Sequence, residues 1–324
     1  MSGTNADPGG ERAEAGNVVG PYRLVEPLGR GGMGEVWRAE DPTGASGSAP
    51  RLVAVKLLDA RLARDAAIRA RFGREVAALR KVASPYVAPL LDADVDADVP
   101  WLASAYVAGP TLAEQVERYG PLADAPLRAL GRALAEALTA IHAAGVVHRD
   151  LTPRNVVLGP DGPRVVDFGI AWFPGAVPVT QSGSSVGTPA WMAPERLPSG
   201  QATAASDVWS WGAVMAYAAL GRPMTRPMTR PMTRPMTTAS AVPGRSIPDD
   251  LAELPVWLAR WVRAATAADP DVRPTAAELR AVMSSTAAGE TLEVTATRDL
   301  DVTREVEATA QAGRTRVFDV EGGP

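Results

Sequence analysis

Over roughly the first hundred positions, apolar residues alternate with polar ones in short runs, a period-two pattern that predicts strands. Tyr22-Arg23-Leu24-Val25 and Val36-Trp37-Arg38-Ala39 are β-prone runs on either side of a glycine-rich stretch, and together they predict a hairpin. Val53-Ala54-Val55-Lys56 predicts a short apolar strand that ends in a cation, and Ala66 to Val82 reads as the first helix. Past Ala105-Tyr106-Val107-Ala108-Gly109 the character changes. Long Ala/Leu-rich segments such as Pro126 to Ala144 predict helices, and Val208 to Leu220 predicts a very apolar one entered through Ser206-Asp207. The pattern is therefore α+β, with a small, mostly β lobe over 21–107 and a larger helical lobe over 108–283. A cleft between two such lobes is a natural ligand site.

Three segments fall outside this pattern. Arg222-Pro223-Met224-Thr225 recurs at 226–229, 230–233 and 234–237. Proline at every fourth residue excludes an α-helix and a central strand, so 222–237 is expected to be an extended surface loop. Tandem expansion of a tolerant connection is the favoured origin, and a docking or phosphoacceptor loop is the alternative. Residues 1–20 are polar, Gly-rich and acidic, unlike a signal peptide, and are expected to be a disordered tail. Residues 284–324 are rich in Thr, Glu and Asp with few large apolar side chains, which predicts a second disordered tail. Within that tail Thr291 to Thr295 is a candidate strand.

Composition narrows the chemistry. A chain of 324 residues, 46% hydrophobic, can bury more than one lobe. The absence of cysteine excludes disulfides, thiol catalysis and Cys-ligated zinc, and two histidines leave no room for a His-based metal site. A formal charge of −4 and a pI near 5.4 argue against nucleic acid as a partner. No apolar run approaches the roughly 18 residues of a membrane span, and a cytoplasmic location is expected.

The most informative residues are His148-Arg149-Asp150-Leu151-Thr152-Pro153-Arg154-Asn155, followed twelve residues later by Asp167-Phe168-Gly169. An acid, an amide and a second acid at this spacing can set a proton-accepting carboxylate beside a pair of Mg²⁺ ligands. Transfer of a nucleotide's γ-phosphoryl group to a hydroxyl requires that pairing. Upstream, Leu28-Gly29-Arg30-Gly31-Gly32-Met33-Gly34-Glu35-Val36 carries glycines whose backbone N–H groups can approach phosphate oxygens. A flexible surface turn has the same composition. A dinucleotide-binding turn would run from a strand into a helix, and here strands stand on both sides.

Together, in this order, these motifs resemble eukaryotic-type protein kinases. The likeness covers about Tyr22 to Met283 and includes Gly187-Thr188-Pro189-Ala190-Trp191-Met192-Ala193-Pro194-Glu195. It is most similar to a bacterial serine/threonine protein kinase, and it implies a bilobal kinase-like fold that takes ATP and Mg²⁺, with Mn²⁺ as the alternative cation. By this resemblance Asp150 accepts or orients the substrate hydroxyl proton, and Asn155 and Asp167 bind the metal ions. Lys56, one of only two lysines in the chain, holds the α/β-phosphates. Leu28 to Gly34 (Leu28, Gly29, Arg30, Gly31, Gly32, Met33 and Gly34) cover the phosphates. Val36 and Ala54 lie above the adenine and Val157 below it. The backbone of Ala105 to Val107 bonds the adenine, and Ser104 guards the back of the pocket.

The same likeness pairs Glu75 with Lys56, although arginines in its own segment are rival partners. It pairs Arg273 with Glu195 and sets Asp207 beneath the catalytic loop. It also makes Arg149 the receiver of a phosphate placed on Thr180, Ser182, Ser184 or Ser185. Expected partners are protein substrates and ATP, with a transient homodimer as a candidate assembly for trans-autophosphorylation. One position departs from the pattern: Thr152 stands where serine/threonine kinases keep a lysine. Arg154 either takes over its charge or is an ordinary exposed loop residue. Thr188 favours Ser/Thr substrates. A pseudokinase would have lost Lys56, Asp150 or Asp167, and none is lost. A small-molecule phosphotransferase of the same superfamily would lack the long segment through Ala-Pro-Glu.

Overall fold

The computed structural model describes residues 13–31, 34–42, 50–167, 190–196, 201–224 and 251–285. The first lobe is one antiparallel sheet of six strands. These are β1 (Val18–Val19), β2 (Tyr22–Gly31), β3 (Gly34–Asp41), β4 (Arg51–Leu58), β5 (Leu90–Asp94) and β6 (Trp101–Ala105), in the spatial order β1-β2-β3-β4-β6-β5. The predicted hairpin is β2–β3, and its strands reach into the glycine run until Gly31 faces Gly34. Gly34 has φ +140, and a Cβ there would lie 1.8 Å from the Leu57 carbonyl oxygen on β4. A side chain at 34 would therefore force the hairpin off the sheet.

Period two sorts the faces of β3 and β4. Trp37, Ala39, Val53, Val55 and Leu57 are buried in a core shared with Tyr22, Leu24, Trp101 and Ala103. Val36, Ala54 and Lys56 point the other way and are only partly covered. That second face is the roof of the interlobe cleft.

Helix α1 (Ala66–Leu79) starts where the Asp65 carboxylate accepts the N–H groups of Ala67 (2.8 Å) and Ile68 (3.3 Å). It ends three residues earlier than the sequence pattern suggests, in a turn that carries Lys81 and Val82. Phe72, Val76 and Leu79 fall on one face and are buried. The Arg69 guanidinium straps α1 to the turn before it through the Ala63 carbonyl and to the chain before β6 through those of Val95, Ala97 and Asp98, at 2.6 to 3.2 Å.

The second lobe contains α2 (Leu112–Tyr119), α3 (Asp124–Ala143), the hairpin β7 (Val156–Gly159) with β8 (Gly162–Val165), α4 (Ala204–Leu220), α5 (Val256–Ala265) and α6 (Ala276–Ser285). Helix α4 opens with a capping box between Thr203 and Ser206 and closes at Gly221 with φ +72. It is buried on every side from Ser206 to Ala218, as expected for a helix that is apolar all round. Around it pack α3 and α5, with the Trp211 indole donating to the Gly131 carbonyl of α3 at 3.3 Å. No helix among the described residues is long and apolar enough to cross a membrane. The expected disordered tail over 1–20 is corrected for its second part: residues 13–20 are described, β1 pairs with β2, and the Gly16 N–H bonds the Leu24 carbonyl at 2.8 Å. Residues 1–12 and 286–324 and all of the repeat beyond Met224 lie outside the described residues.

Candidate active site

The chain segment between α3 and β7 carries the candidate chemistry, and it is seated from below by one carboxylate. Asp207, at the start of α4, is 1% exposed. Its Oδ2 accepts the backbone N–H of His148 (2.7 Å) and the His142 Nε2–H (2.9 Å), and its Oδ1 accepts the N–H of Arg149 (2.9 Å). This is the bracing role that the resemblance implies for Asp207. His142 was not singled out in the sequence; a histidine near the end of a helix carries no signal of a partner 65 residues away.

Above this seat, Asp150 projects toward Asn155, whose Nδ2 donates to the Asp150 carbonyl (2.7 Å) and to its carboxylate (3.1 Å). The short 3₁₀ turn Pro153–Asn155 makes this closure possible, with the Asn155 N–H bonded to the Thr152 carbonyl at 3.0 Å. Burial pushes the Asp150 carboxyl up to about 6, and the charge of Asp167 pushes the same way. Lys56, the Asn155 hydrogen bond and Arg196 oppose that rise. Burial likewise lowers the pKa of His148, which is fully enclosed.

Lys56 reaches down from β4 and forms an ion pair with Asp167, which lies just past β8 with φ +52. The structure thus brings Lys56, Asp150, Asn155 and Asp167 to one place from three separate elements. Asn155, bonded to the Asp150 carboxylate, carries an amide oxygen, and Asp167, whose charge acts on the same carboxylate, carries a carboxylate. Two hard oxygen donors of this kind fit Mg²⁺, which takes few protein ligands and completes its shell with water and phosphate.

The nucleotide contacts expected from the sequence fall around the same cleft. Val36 pairs with Lys56 across β3–β4, and Ala54 with Ser104 across β4–β6, so roof and hinge are in register. Val157 is buried with Val107 and Ala88 on the opposite side. Ala105 ends β6, its N–H bonded to the Pro89 carbonyl at 3.0 Å. Leu28, Gly29 and Arg30 are exposed at the tip of β2, where Arg30 meets Glu35 at 2.6 Å. Gly31 faces Gly34 at the same tip, while Gly32, Met33, Phe168, Gly169, Thr180, Ser182, Ser184, Ser185 and Thr188 lie outside the described residues.

One expectation is corrected. Glu75 does not pair with Lys56; it is held by Arg149 and, one turn back on α1, by Arg71 at 3.0 Å. The physical reason is competition: a guanidinium from the catalytic segment and another at i−4 both reach the carboxylate, while Lys56 faces Asp167. Arg154 is exposed on the 3₁₀ turn Pro153–Asn155. A second cation whose charge acts on Asp150, besides Lys56, is Arg196, which follows Glu195 and is 4% exposed. Its Nη1 donates to the Arg149 carbonyl. Nothing in the sequence distinguishes this arginine from a surface one.

The segment Ala190–Arg196 is tied to the lobe by Arg273, whose side chain has no exposure. Arg273 grips Glu195 with two bonds of 2.7 and 2.9 Å and also donates to the carbonyls of Ala205, Ala267 and Ala268. It stacks over Trp209 at 5.0 Å. The pairing implied for Arg273 and Glu195 is present, in the bidentate geometry that only arginine offers.

Residues 22–282 match the protein kinase domain family. Among curated proteins, the chain is 44% identical over 272 residues to the probable serine/threonine-protein kinase PkwA of Thermomonospora curvata, covering 84% of this chain and 35% of that protein. It is 46% identical over 206 residues to the serine/threonine-protein kinase AfsK of Streptomyces coelicolor, covering 63% of this chain and 25% of that protein. The chain therefore spans about a third or less of these relatives. Among solved structures, the Mycobacterium tuberculosis PknI kinase domain superposes with a TM-score of 0.62 at 23% identity, over 85% of this chain and 99% of that one, which establishes the fold. With its motifs in order, its lobes in place and its match running from the start of β2 into the last helix, the chain belongs to the protein kinase domain family, alongside bacterial serine/threonine protein kinases.

Proposed function

We propose that this chain transfers the γ-phosphoryl group of Mg-ATP to serine and threonine hydroxyls of proteins, its own activation segment included. The observation that carries this reading is the convergence of Lys56, Asp150, Asn155 and Asp167 under the roof formed by Val36 and Ala54. In the reaction, Lys56 holds the α/β-phosphates, and the glycine run from Gly29 to Gly34 covers them. Asp150 orients the incoming hydroxyl and takes up its proton. Asn155 and Asp167 would hold the magnesium, which supplies neutralisation of the phosphate charge. Most of the acceleration comes from positioning and electrostatic stabilisation, and no covalent intermediate on the protein is required.

Autophosphorylation runs in trans between two transient copies. The added phosphate takes Arg149 as its partner through charge-assisted hydrogen bonds. An enzyme that consumes ATP works where ATP is held, so the setting is cytoplasmic signalling. Mass spectrometry after incubation with Mg-ATP tests the reading. Phosphoserine or phosphothreonine within 180–185 is expected in the wild type and none in Asp150→Asn. Unmodified segments in both proteins would overturn it.

A further inference from the structure

The peptide that precedes Asp150 is strained and is clamped at both ends. Arg149 has φ +71, a left-handed conformation that a non-glycine residue keeps only where its surroundings hold it there. Its N–H is held by Asp207 at 2.9 Å, and its carbonyl by Nη1 of Arg196. Because Asp150 is the next residue, the orientation of that carbonyl sets the direction in which the Asp150 side chain leaves the backbone.

Arg196 is placed for this task by a buried neighbourhood. It lines a crevice too narrow for water together with Arg149, Asp150, Thr152, Trp191, Met192 and Ser210. The crevice wall is itself fixed, since the Ser210 hydroxyl donates to the Trp191 carbonyl at 2.8 Å. Around the guanidinium stand the charges of Asp207, Asp150 and Glu195, with the like charge of Arg149. Burying a guanidinium is expensive without such partners, so this position is a built one. Glu195, one residue before it, is locked to Arg273.

We propose that Arg196 is a positioning residue for Asp150, clamping the Arg149 carbonyl so that the catalytic loop is competent only when the Trp191–Arg196 segment is seated. The proposal rests on the kinase reading above. It assigns to Arg196 a coupling between two parts of the site, distinct from the bracing by Asp207 and the anchoring by Arg273.

The test uses steady-state kinetics on the full chain with Mg-ATP and a generic basic protein, comparing wild type, Arg196→Met, Arg196→Lys and Asp150→Asn. Arg196→Met should lower kcat on the order of 10–100-fold, the scale of a misplacement of about 1 Å, with KM for ATP changed less than about threefold. Arg196→Lys keeps a charged donor long enough to reach the carbonyl and should recover most of the loss. Should Arg196→Met lose its cooperative melt, Arg196→Gln takes its place, since its shorter side chain falls short of the carbonyl. Wild-type kcat in the Met or Gln variant, beside an inactive Asp150→Asn, would overturn the proposal and leave the kinase reading intact. Loss of kcat and ATP affinity together, without recovery by lysine, would overturn it in favour of a merely structural arginine. A wild type that transfers no phosphate would instead overturn the kinase reading.

Discussion

The catalytic segment is held very differently from below and from above. Below it, Asp207 and Arg273 are enclosed, and each makes several bonds to backbone groups whose positions the helical core already fixes. Above it, Lys56 and Glu75 come from the other lobe and reach across the cleft to side chains, Lys56 to Asp167 and Glu75 to Arg149, with Arg71 of its own helix on Glu75 as well. The lower contacts match the family pattern and the upper ones do not. A charge that satisfies backbone groups within one packed core has one answer. A charge reaching across a cleft has as many answers as there are opposite charges within reach, and small movements of the lobes select among them.

This contrast ranks three substitutions. The largest loss of stability belongs to Asp207→Ala, which strands the N–H groups of His148 and Arg149 in a dry interior. It should cost about 4 kcal/mol at roughly 1–3 kcal/mol for each buried group, read as a fall in the urea midpoint. Asp207→Asn keeps an acceptor and should cost less. A midpoint within error of wild type for Asp207→Ala would erase the distinction between the two sides.

Next, Arg273→Ala should cost about 3 kcal/mol, the lower end for breaking a buried pair. Arg273→Lys should recover little, because an ammonium cannot make the two parallel bonds to Glu195 while also reaching three carbonyls. Full recovery by lysine would reduce the contact to a simple charge.

The smallest effect sharpens the upper side. A double-mutant cycle between Glu75→Gln and Arg149→Gln should give a coupling of about 1 kcal/mol, and the cycle between Glu75→Gln and Lys56→Met a value near zero. The reverse ranking would restore the Lys56–Glu75 pair expected from the sequence.

What could be read from the sequence follows the same division. The strands around the glycine run were legible because alternation placed Trp37, Ala39, Val53 and Val55 on one face and Val36, Ala54 and Lys56 on the other. Helix α4 was legible because thirteen consecutive residues are buried without a polar stripe. Arg273 with Glu195 and Asp207 with its loop were legible as parts of an ordered motif set. The partner of Glu75 was not, because Arg71, Arg74 and Arg149 all carry the same charge and spacing does not say which one reaches it. Nor could the inward turn of Arg69, toward four carbonyls, be told from the outward turn of its neighbours. The placement of Arg196 was not legible for a related reason. Adjacency in the chain made Arg154 the obvious replacement for a lysine at 152, whereas burial against the Arg149 carbonyl belongs to a residue 47 positions away.

The most direct measurement is the time course of radiolabel transfer from γ-labelled ATP, with Mg²⁺, to a generic basic protein by the wild type, Lys56→Met and Asp150→Asn. Steady incorporation is predicted for the wild type alone, with both variants at background while retaining a cooperative melt. Label incorporated by either variant at the wild-type rate would contradict the assignment of the cleft.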